Sequence, residues 1–182
     1  LLTFEKDTEP YARKRDSSII SVAESKNVTV KSFTSHTLFD PQHLLYLNDD
    51  KVPGTYKSFC SLVNGVKVSS PCDAPTVVPN KFYREEDDIK KNHEFDVPTL
   101  VDMGYEKIEG PPTPFLGGET EGLKRLYRYV KNKKYIAEFE KPKTSPNSLS
   151  PSTTVLSPYL KFGCVSSRLF YKELMAVYRQ VS

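Results

Sequence analysis

Hydroxyl side chains cluster in front of a proline-started helical pattern in residues 152–168. This run reads S-T-T-V-L-S-P-Y-L-K-F-G-C-V-S-S-R. Ser157 is a good N-cap, because its side-chain oxygen can accept a hydrogen bond from a free backbone N–H. Pro158 suits the first helical position, and Gly163 can close the short helix in the left-handed conformation. The pattern therefore predicts an open helix N-terminus preceded by two threonines.

An open helix N-terminus favours an anion such as phosphate. The free N–H groups and the positive end of the helix dipole both point toward that position. The residues alone leave a second interpretation open, in which the run is a capped surface helix that holds no ligand.

Composition limits the class of protein. The chain has 182 residues, enough for one or two domains, and a net charge of +3, which is too weak to indicate nucleic-acid binding by itself. Its three cysteines lie far apart, so we expect no metal site and a reducing compartment. No apolar run approaches the length of a membrane span, and no secretory signal opens the sequence, so we expect no membrane partner.

The first third of the chain predicts an α/β arrangement. We expect a strand over residues 1–4, a helix from about Glu9 to Lys26 capped by Thr8, and a strand over 28–33, with the two strands parallel. The apolar face of the helix is predicted to comprise Ala12, Ile19, Ile20 and Ala23. Short helices are predicted over 40–47 and over 55–63, the latter with Tyr56, Phe59, Leu62 and Val63 on one side.

The remainder predicts a connector followed by helices. Residues 66–114 are rich in proline and charge, and we expect a long connector with one helical turn near 99–103 and a domain boundary there. A strong helix is predicted to begin at Gly118, with Leu123, Leu126, Tyr127 and Val130 as its core stripe. The last helix is predicted over about 166–181.

Four strings, in order along the chain, resemble the photolyase/cryptochrome family. The run T-T-V-L-S-P-Y-L-K-F-G-C resembles the family's T-x-x-L-S-P-Y-L-[RK]-F-G-C, and residues 4–16 resemble its F-E-x-D-x-E-P-[FY]-x-x-x-R-D. The other two strings are S-H-T-L-F-D at 35–40 and G-G-E-T-E-G-L-K-R-L at 117–126. Within the family, the wording of the first run is most similar to the animal, insect-type (6-4) photolyase branch.

The resemblance implies a fold that is α/β followed by all-α. Residues 1–65 would close an N-terminal α/β antenna-type domain, 66–115 would be the interdomain connector, and 116–182 would form the first helices of the helical FAD-binding domain. Family members are longer on both sides, so we expect the chain to be an internal piece of such a protein.

The resemblance also implies a cofactor site. The residues expected to contact the FAD pyrophosphate, through hydroxyls and backbone N–H groups, are Thr153, Thr154, Val155, Leu156 and Ser157. Lys141, in F-E-K-P, would add a point charge near the phosphates, with a solvated surface lysine as the alternative. Glu9 lies where some photolyases bind a second, antenna chromophore, and a first-turn helix carboxylate is its other interpretation. No catalytic residue and no metal ligand is assigned.

The function that the resemblance implies is blue-light DNA repair by a nuclear and cytoplasmic flavoprotein, a lyase. Photoexcited FAD would donate an electron to a pyrimidine-pyrimidone (6-4) photoproduct flipped out of UV-damaged DNA. The family's catalytic histidines and electron-transfer tryptophans would lie beyond residue 182, so we expect this piece alone to be inactive. The alternatives are a cryptochrome that acts as a photoreceptor or through clock and signalling proteins, and a truncated product without function.

Overall fold

A computed structural model describes most of the chain and divides it into two compact units. The described residues are 1–77, 96–107, 109–111, 113–140, 145, 147–151 and 153–181. The first unit combines Leu1–Pro71 with Leu116–Ser182, and the second comprises Cys72–Phe115. The predicted assignment of residues 1–65 and 116–182 to separate domains stays a prediction.

The first unit begins with a strand–helix–strand arrangement. Strand β1 (Leu2–Glu5) is followed by helix α1 (Pro10–Ser25) and by strand β2 (Val30–Phe33). The two strands pair in parallel, with Leu2 opposite Val30, which confirms the predicted α/β start. Thr8 does not cap α1 as expected, because Glu9 occupies the N-cap position and no side chain bonds to the free N–H groups.

The buried face of α1 differs from the predicted apolar face. Ala12 and Asp16 are the buried residues of this helix, whereas Ile19 is 43 % exposed. Asp16 is accommodated because the guanidinium of Arg15 donates to its Oδ1 from Nε at 2.9 Å and from Nη2 at 2.7 Å. A buried carboxylate that is paired in this way costs far less than an isolated one, and the hydrophobic pattern could not reveal it.

Two short helices follow the sheet as predicted. Helix α2 (Pro41–Leu47) begins after Asp40, whose Oδ1 accepts from the Gln42 N–H at 3.0 Å. Helix α3 (Tyr56–Val63) begins with a capping box, in which the side chains of Thr55 and Ser58 each bond to the other's backbone N–H. Tyr56 is 82 % exposed rather than packed with the apolar side of α3.

The second unit contains the single turn predicted near residue 99. The Met103 N–H donates to the Thr99 carbonyl at 3.1 Å, and Asp102 accepts from both the N–H and the hydroxyl of Thr99. None of the helices in the described ranges is long and apolar enough to cross a membrane.

The remaining helices of the first unit follow in sequence order. They are α4 (Glu119–Lys131), α5 (Lys133–Ala137), α6 (Ser157–Lys161) and α7 (Ser167–Val181). Gly118 precedes α4 with φ at 94°, a left-handed conformation that favours glycine. Helix α5 was not predicted. It begins because the Asn132 side chain accepts from the Tyr135 N–H and restarts the chain after α4.

The core of this helical part lies between α4, α6 and the start of α7. Its buried residues are Leu126, Leu156, Tyr159 and Val165. Of the predicted core stripe, Leu126 is buried, but Tyr127 is 42 % exposed. Gly122 takes part in the contact instead, because it is buried on the same side of α4 as Leu126.

Glu5 ties the ends of the parallel strands to the loop after β2. Its Oε1 accepts from the Ser35 N–H at 2.7 Å and lies 2.7 Å from His36 Nδ1, and its Oε2 accepts from the Ser35 hydroxyl. Partial burial alone would raise the pKa of Glu5, but these hydrogen bonds outweigh burial and lower that pKa to about 2. His36 therefore has the structural role that its isolated position in the sequence predicted.

The lowered pKa of Glu5 predicts a pH dependence of folding. A carboxyl group whose pKa falls on folding stabilises the protein above its unfolded value, near 4.5, and loses that contribution as the pH falls toward 2. Glu5→Gln should therefore flatten the acid limb of stability between these two pH values and leave its shape above pH 6 unchanged. Denaturant titrations at a series of pH values measure this difference. If the acid limb is identical in the two proteins, the hydrogen bonds of Ser35 and His36 do not lower the pKa of Glu5 in the folded protein.

Candidate phosphate-binding site

One tyrosine hydroxyl bonds to the segment that holds the predicted phosphate contacts, and a second fixes the helix that follows this segment. The Tyr129 hydroxyl, on α4, donates to the carbonyl of Thr153. The Tyr159 hydroxyl, on α6, donates to the carbonyl of Leu116, and the Arg125 guanidinium lies 5.9 Å from the centroid of the Tyr159 ring. With Leu156 also buried in the core, the backbone of residues 153–157 is held from both ends.

The backbone of this segment changes handedness between two adjacent residues. Val155 has φ at 50°, in the left-handed region, and Leu156 has φ at −92° and ψ at −10°, in the right-handed region. Alternating handedness of this kind turns successive N–H groups toward one point and makes a concave anion site, a nest. A β-branched residue such as Val155 rarely adopts the left-handed conformation, so the surrounding packing must impose it.

Ser157 is not the N-cap that the sequence predicted. Helix α6 begins at Ser157, Leu156 occupies the cap position, and no side chain caps the helix. The turn starts one residue early because the buried Leu156 already has a helical conformation. With five residues, α6 has a small dipole. The nest at Val155 and Leu156, and not the helix end, is therefore the stronger anion-binding feature.

Three hydroxyl-bearing residues flank the nest in the sequence. Thr153 and Thr154 are half-buried, and Ser157 is exposed. In the part of the chain that the structure describes, none of these three hydroxyls makes a hydrogen bond. Small free donors beside convergent N–H groups suit an oxygen-rich pyrophosphate, so the residues present fit the phosphate end of FAD. Lys141, the sixth predicted contact, lies outside the described residues.

The turn after α6 closes as predicted. Gly163 has φ at 69°, and the Val165 N–H donates back to the Tyr159 carbonyl at 3.1 Å. This left-handed closure directs Val165 into the core beside Leu156. Val165, just before α7, thereby packs in the same buried cluster as Leu156.

Two basic residues that flank the segment contact the α/β part of the same unit. Lys161 Nζ lies 2.9 Å from Glu9 Oε1, and Arg168 Nη2 donates to the Thr34 carbonyl at 3.2 Å. The ion pair raises the pKa of Lys161. Because Glu9 and Lys161 are both well exposed, solvent screens their attraction and the pair adds little to stability. Glu9 thus binds a lysine here and occupies the N-cap position of α1, one residue before the first turn in which its carboxylate was predicted.

A cleft of about 700 Å³ lies elsewhere in the first unit. It is bounded by the residues after β1 and by α2 and α3, and its lining includes Lys6, Arg13, Leu45 and Phe59. Glu9 does not line it. Among the described residues, no group of three or more histidine, cysteine, aspartate or glutamate side chains could hold a metal ion.

The sequence did not predict which residues of α4 pack against the 153–157 segment and the helix after it. Gly122 and Tyr129 lie on the core side of α4, and neither stood out by type. The available signal was a glycine inside a strong helical pattern. Glycine destabilises a helix, so its presence there suggests that another segment packs closely against the helix. The Tyr135 ring lies 5.5 Å from the Tyr129 ring, centroid to centroid.

The left-handed Val155 predicts an inverted order of stability between two variants. In most positions alanine is more stable than glycine by about 0.5–1 kcal/mol. The left-handed conformation destabilises a residue that has a Cβ atom by about 1–2 kcal/mol, and glycine has no such penalty. Val155→Gly should therefore be more stable than Val155→Ala by about 1 kcal/mol in urea unfolding. The usual order, with alanine more stable, would contradict the left-handed conformation.

The chain is similar in sequence to DNA photolyases and cryptochromes. A family model described as DNA photolyase matches residues 1–76. The chain is 42 % identical to the (6-4)DNA photolyase of Arabidopsis thaliana over 182 residues, which cover 99 % of this chain and 32 % of the relative. It is 37 % identical to Cryptochrome-2 of Gallus gallus, over 99 % of this chain and 31 % of the relative. The chain thus spans about a third of the length of these relatives.

Solved structures show the same fold. A cryptochrome from Synechocystis superimposes with a TM-score of 0.69 at 21 % identity, covering 97 % of this chain and 36 % of that structure. A class III photolyase from Agrobacterium tumefaciens superimposes with a TM-score of 0.59 at 20 % identity, covering 94 % of this chain and 34 % of that structure. An archaeal photolyase from Sulfolobus tokodaii, described with two FAD molecules, gives 0.58 at 23 % identity, covering 94 % of this chain and 33 % of that structure.

Proposed function

Because the chain belongs to the photolyase/cryptochrome family, we propose that residues 153–157 hold the pyrophosphate of FAD. The observation that carries this proposal is the nest at Val155 and Leu156, next to which the hydroxyls of Thr153, Thr154 and Ser157 make no hydrogen bond to a described residue. Backbone N–H groups bind the phosphate oxygens, the hydroxyls of Thr153, Thr154 and Ser157 add hydrogen bonds, and Lys141 adds positive charge. Bound FAD supplies photoinduced electron transfer. The residues of this chain position the cofactor and take no part in the transfer.

For the whole protein, in the nucleus and cytoplasm, we propose light-driven repair of (6-4) photoproducts in UV-damaged DNA. The wording of the flavin region supports this choice: T-T-V-L-S with F-E-K-P-K is similar to the (6-4) photolyase branch, whereas vertebrate clock cryptochromes read closer to P-T-G-L-S with F-E-R-P. The left-handed Val155 occupies the glycine position of the second pattern, so both branches can use the same backbone turn. An antenna chromophore is proposed as a second cofactor.

The alternative is a cryptochrome that acts through light sensing or protein partners. It is favoured by the 37 % identity to Cryptochrome-2 of Gallus gallus, which is close to the identity with the plant (6-4)DNA photolyase. The phosphate-holding role of residues 153–157 is the same in both cases.

A segment exchange separates the two functions. The matching third of the Arabidopsis thaliana (6-4)DNA photolyase is replaced by this chain, and in a control by the matching segment of Gallus gallus Cryptochrome-2. FAD content and blue-light repair of a (6-4) photoproduct oligonucleotide are then measured for both proteins. We expect both to retain FAD, and the exchange with this chain to repair at several times the rate of the control. Equal FAD content with no advantage in repair would favour the cryptochrome function.

A further inference from the structure

The solvent-facing side of helix α4 forms a groove that the flavin site does not use. The groove has a volume of about 590 Å³, and its lining residues are Thr120, Leu123, Lys124, Tyr127, Arg128 and Lys131. The opposite side of α4 carries the buried Gly122 and Leu126, so the groove faces away from the core. We call the six lining residues the α4 basic face.

Positive charge is concentrated on and next to this face. The six lining residues include three cationic side chains, those of Lys124, Arg128 and Lys131, and no carboxylate. Lys124 Nζ is bonded to Glu121 Oε1 at 2.7 Å. Arg128 and Lys131 are exposed and have no carboxylate partner within the described ranges. Helix-dipole compensation explains basic residues in the last turn, but it does not explain cations that extend back along the face to Lys124.

The floor of the groove is apolar between these cations. Leu123 is half-buried, and the Tyr127 side chain is 42 % exposed although it lies at a core-stripe spacing from Leu123 and Val130. A small inorganic anion would contact the cations and leave this floor uncovered. A ligand that fits the whole face carries both negative charge and an apolar side chain.

The spacing of the cations matches a helical partner. Lys124, Arg128 and Lys131 are four and three residues apart, so they rise along one side of α4 in steps of ~6 Å and ~4.5 Å. Carboxylates three and four residues apart on a second helix repeat at the same distances. An apolar side chain between them would then cover Leu123 and Tyr127, as an amphipathic helix does when it lies in a groove.

We propose that the α4 basic face docks an acidic amphipathic helix of a partner protein. Charge complementarity with Lys124, Arg128 and Lys131 sets its orientation, and an aliphatic or aromatic anchor against Tyr127 supplies the apolar contact. The proposal does not depend on flavin binding, because no residue of the face belongs to the 153–157 segment.

Fluorescence anisotropy of the 182-residue chain tests the proposal. The probe is a labelled 14-residue peptide with glutamates at three- and four-residue spacings and leucines between them, compared with a scrambled peptide of the same composition. Arg128→Glu with Lys131→Glu should weaken binding of the patterned peptide by about tenfold or more. The matched control, Lys14→Glu with Lys57→Glu, makes the same change in net charge at exposed positions elsewhere and should weaken binding less than about twofold. Tyr127→Ser, which leaves the charge unchanged, should weaken binding severalfold.

Four results would overturn the proposal. One is equal weakening by the control pair, which would indicate general charge attraction, and another is equal binding of the scrambled peptide. A third is tighter binding of a dT14 oligonucleotide, which would assign the face to nucleic acid. The last is concentration-dependent self-association that the reversal pair abolishes, which would assign it to a second copy. Circular dichroism confirms that each variant is folded, and Arg128→Gln with Lys131→Gln replaces the reversal pair where it is not.

Discussion

Leu156→Ala is expected to lower the free energy of unfolding by about 2–5 kcal/mol. Leu156 is 1 % exposed and packs with Leu126, Tyr159 and Val165 in the helical core. Removal of its side chain loses apolar burial and leaves a cavity that the three neighbours cannot close without moving. Because Leu156 is also the right-handed half of the nest, the variant should loosen the phosphate segment as well as the core.

Urea unfolding followed by circular dichroism measures the loss for Leu156→Ala. Leu149→Ala is the matched control, since Leu149 lies seven residues earlier and is 74 % exposed. This control should change stability by less than about 0.5 kcal/mol. Similar losses for both variants would mean that Leu156 does not occupy the core position described.

Gly122→Ala is expected to destabilise the protein although alanine favours helices. A methyl group at Gly122 would lie 2.6 Å from Val165 Cγ2 and 2.9 Å from Tyr159 Cδ1, both of which belong to buried side chains. Overpacking of this kind costs about 1–3 kcal/mol, against a helix-propensity gain of up to about 1 kcal/mol. We expect a net loss of about 1 kcal/mol, within a range of about 0–2 kcal/mol.

The control for Gly122→Ala lies just ahead of the same helix. At Gly117 a methyl group would meet nothing within 4 Å, so Gly117→Ala should be neutral or slightly stabilising. Thermal unfolding of the two variants provides the comparison. A stabilised Gly122→Ala would show that α4 does not approach Val165 and Tyr159 as closely as described.

Local patterns in the sequence predicted the elements of this fold well. The proline after Asp40 and the glycine before α4 each fix a helix start by local chemistry, and the structure agrees with both. The helix over 55–63 was also predicted, but the capping box that starts it was not. The strand–helix–strand order predicted parallel pairing, because two neighbouring strands joined by a helix run in the same direction. Family resemblance then supplied the fold class that the solved structures share.

Burial was harder to predict than secondary structure. Hydrophobic periodicity placed Tyr127 in the core and did not place Gly122 there. The pattern counts only apolar side chains, so it misses a glycine that is buried because it lets a neighbouring segment approach closely. Asp16 was missed for a related reason, since its burial depends on the neighbouring Arg15 guanidinium. The left-handed Val155 could not be predicted from residue type, because packing of Leu156 imposes a conformation that valine alone disfavours.

The central claim is that the nest at residues 155–156 binds the pyrophosphate of FAD, and amide chemical shifts test it most directly. A ¹⁵N-labelled sample of the 182-residue chain is titrated with FAD and, separately, with riboflavin, which lacks the pyrophosphate. We predict saturable shifts at the N–H groups of Val155, Leu156 and Ser157 with FAD and no shift at these groups with riboflavin. Unchanged amides with FAD, or the same shifts with riboflavin, would contradict the claim.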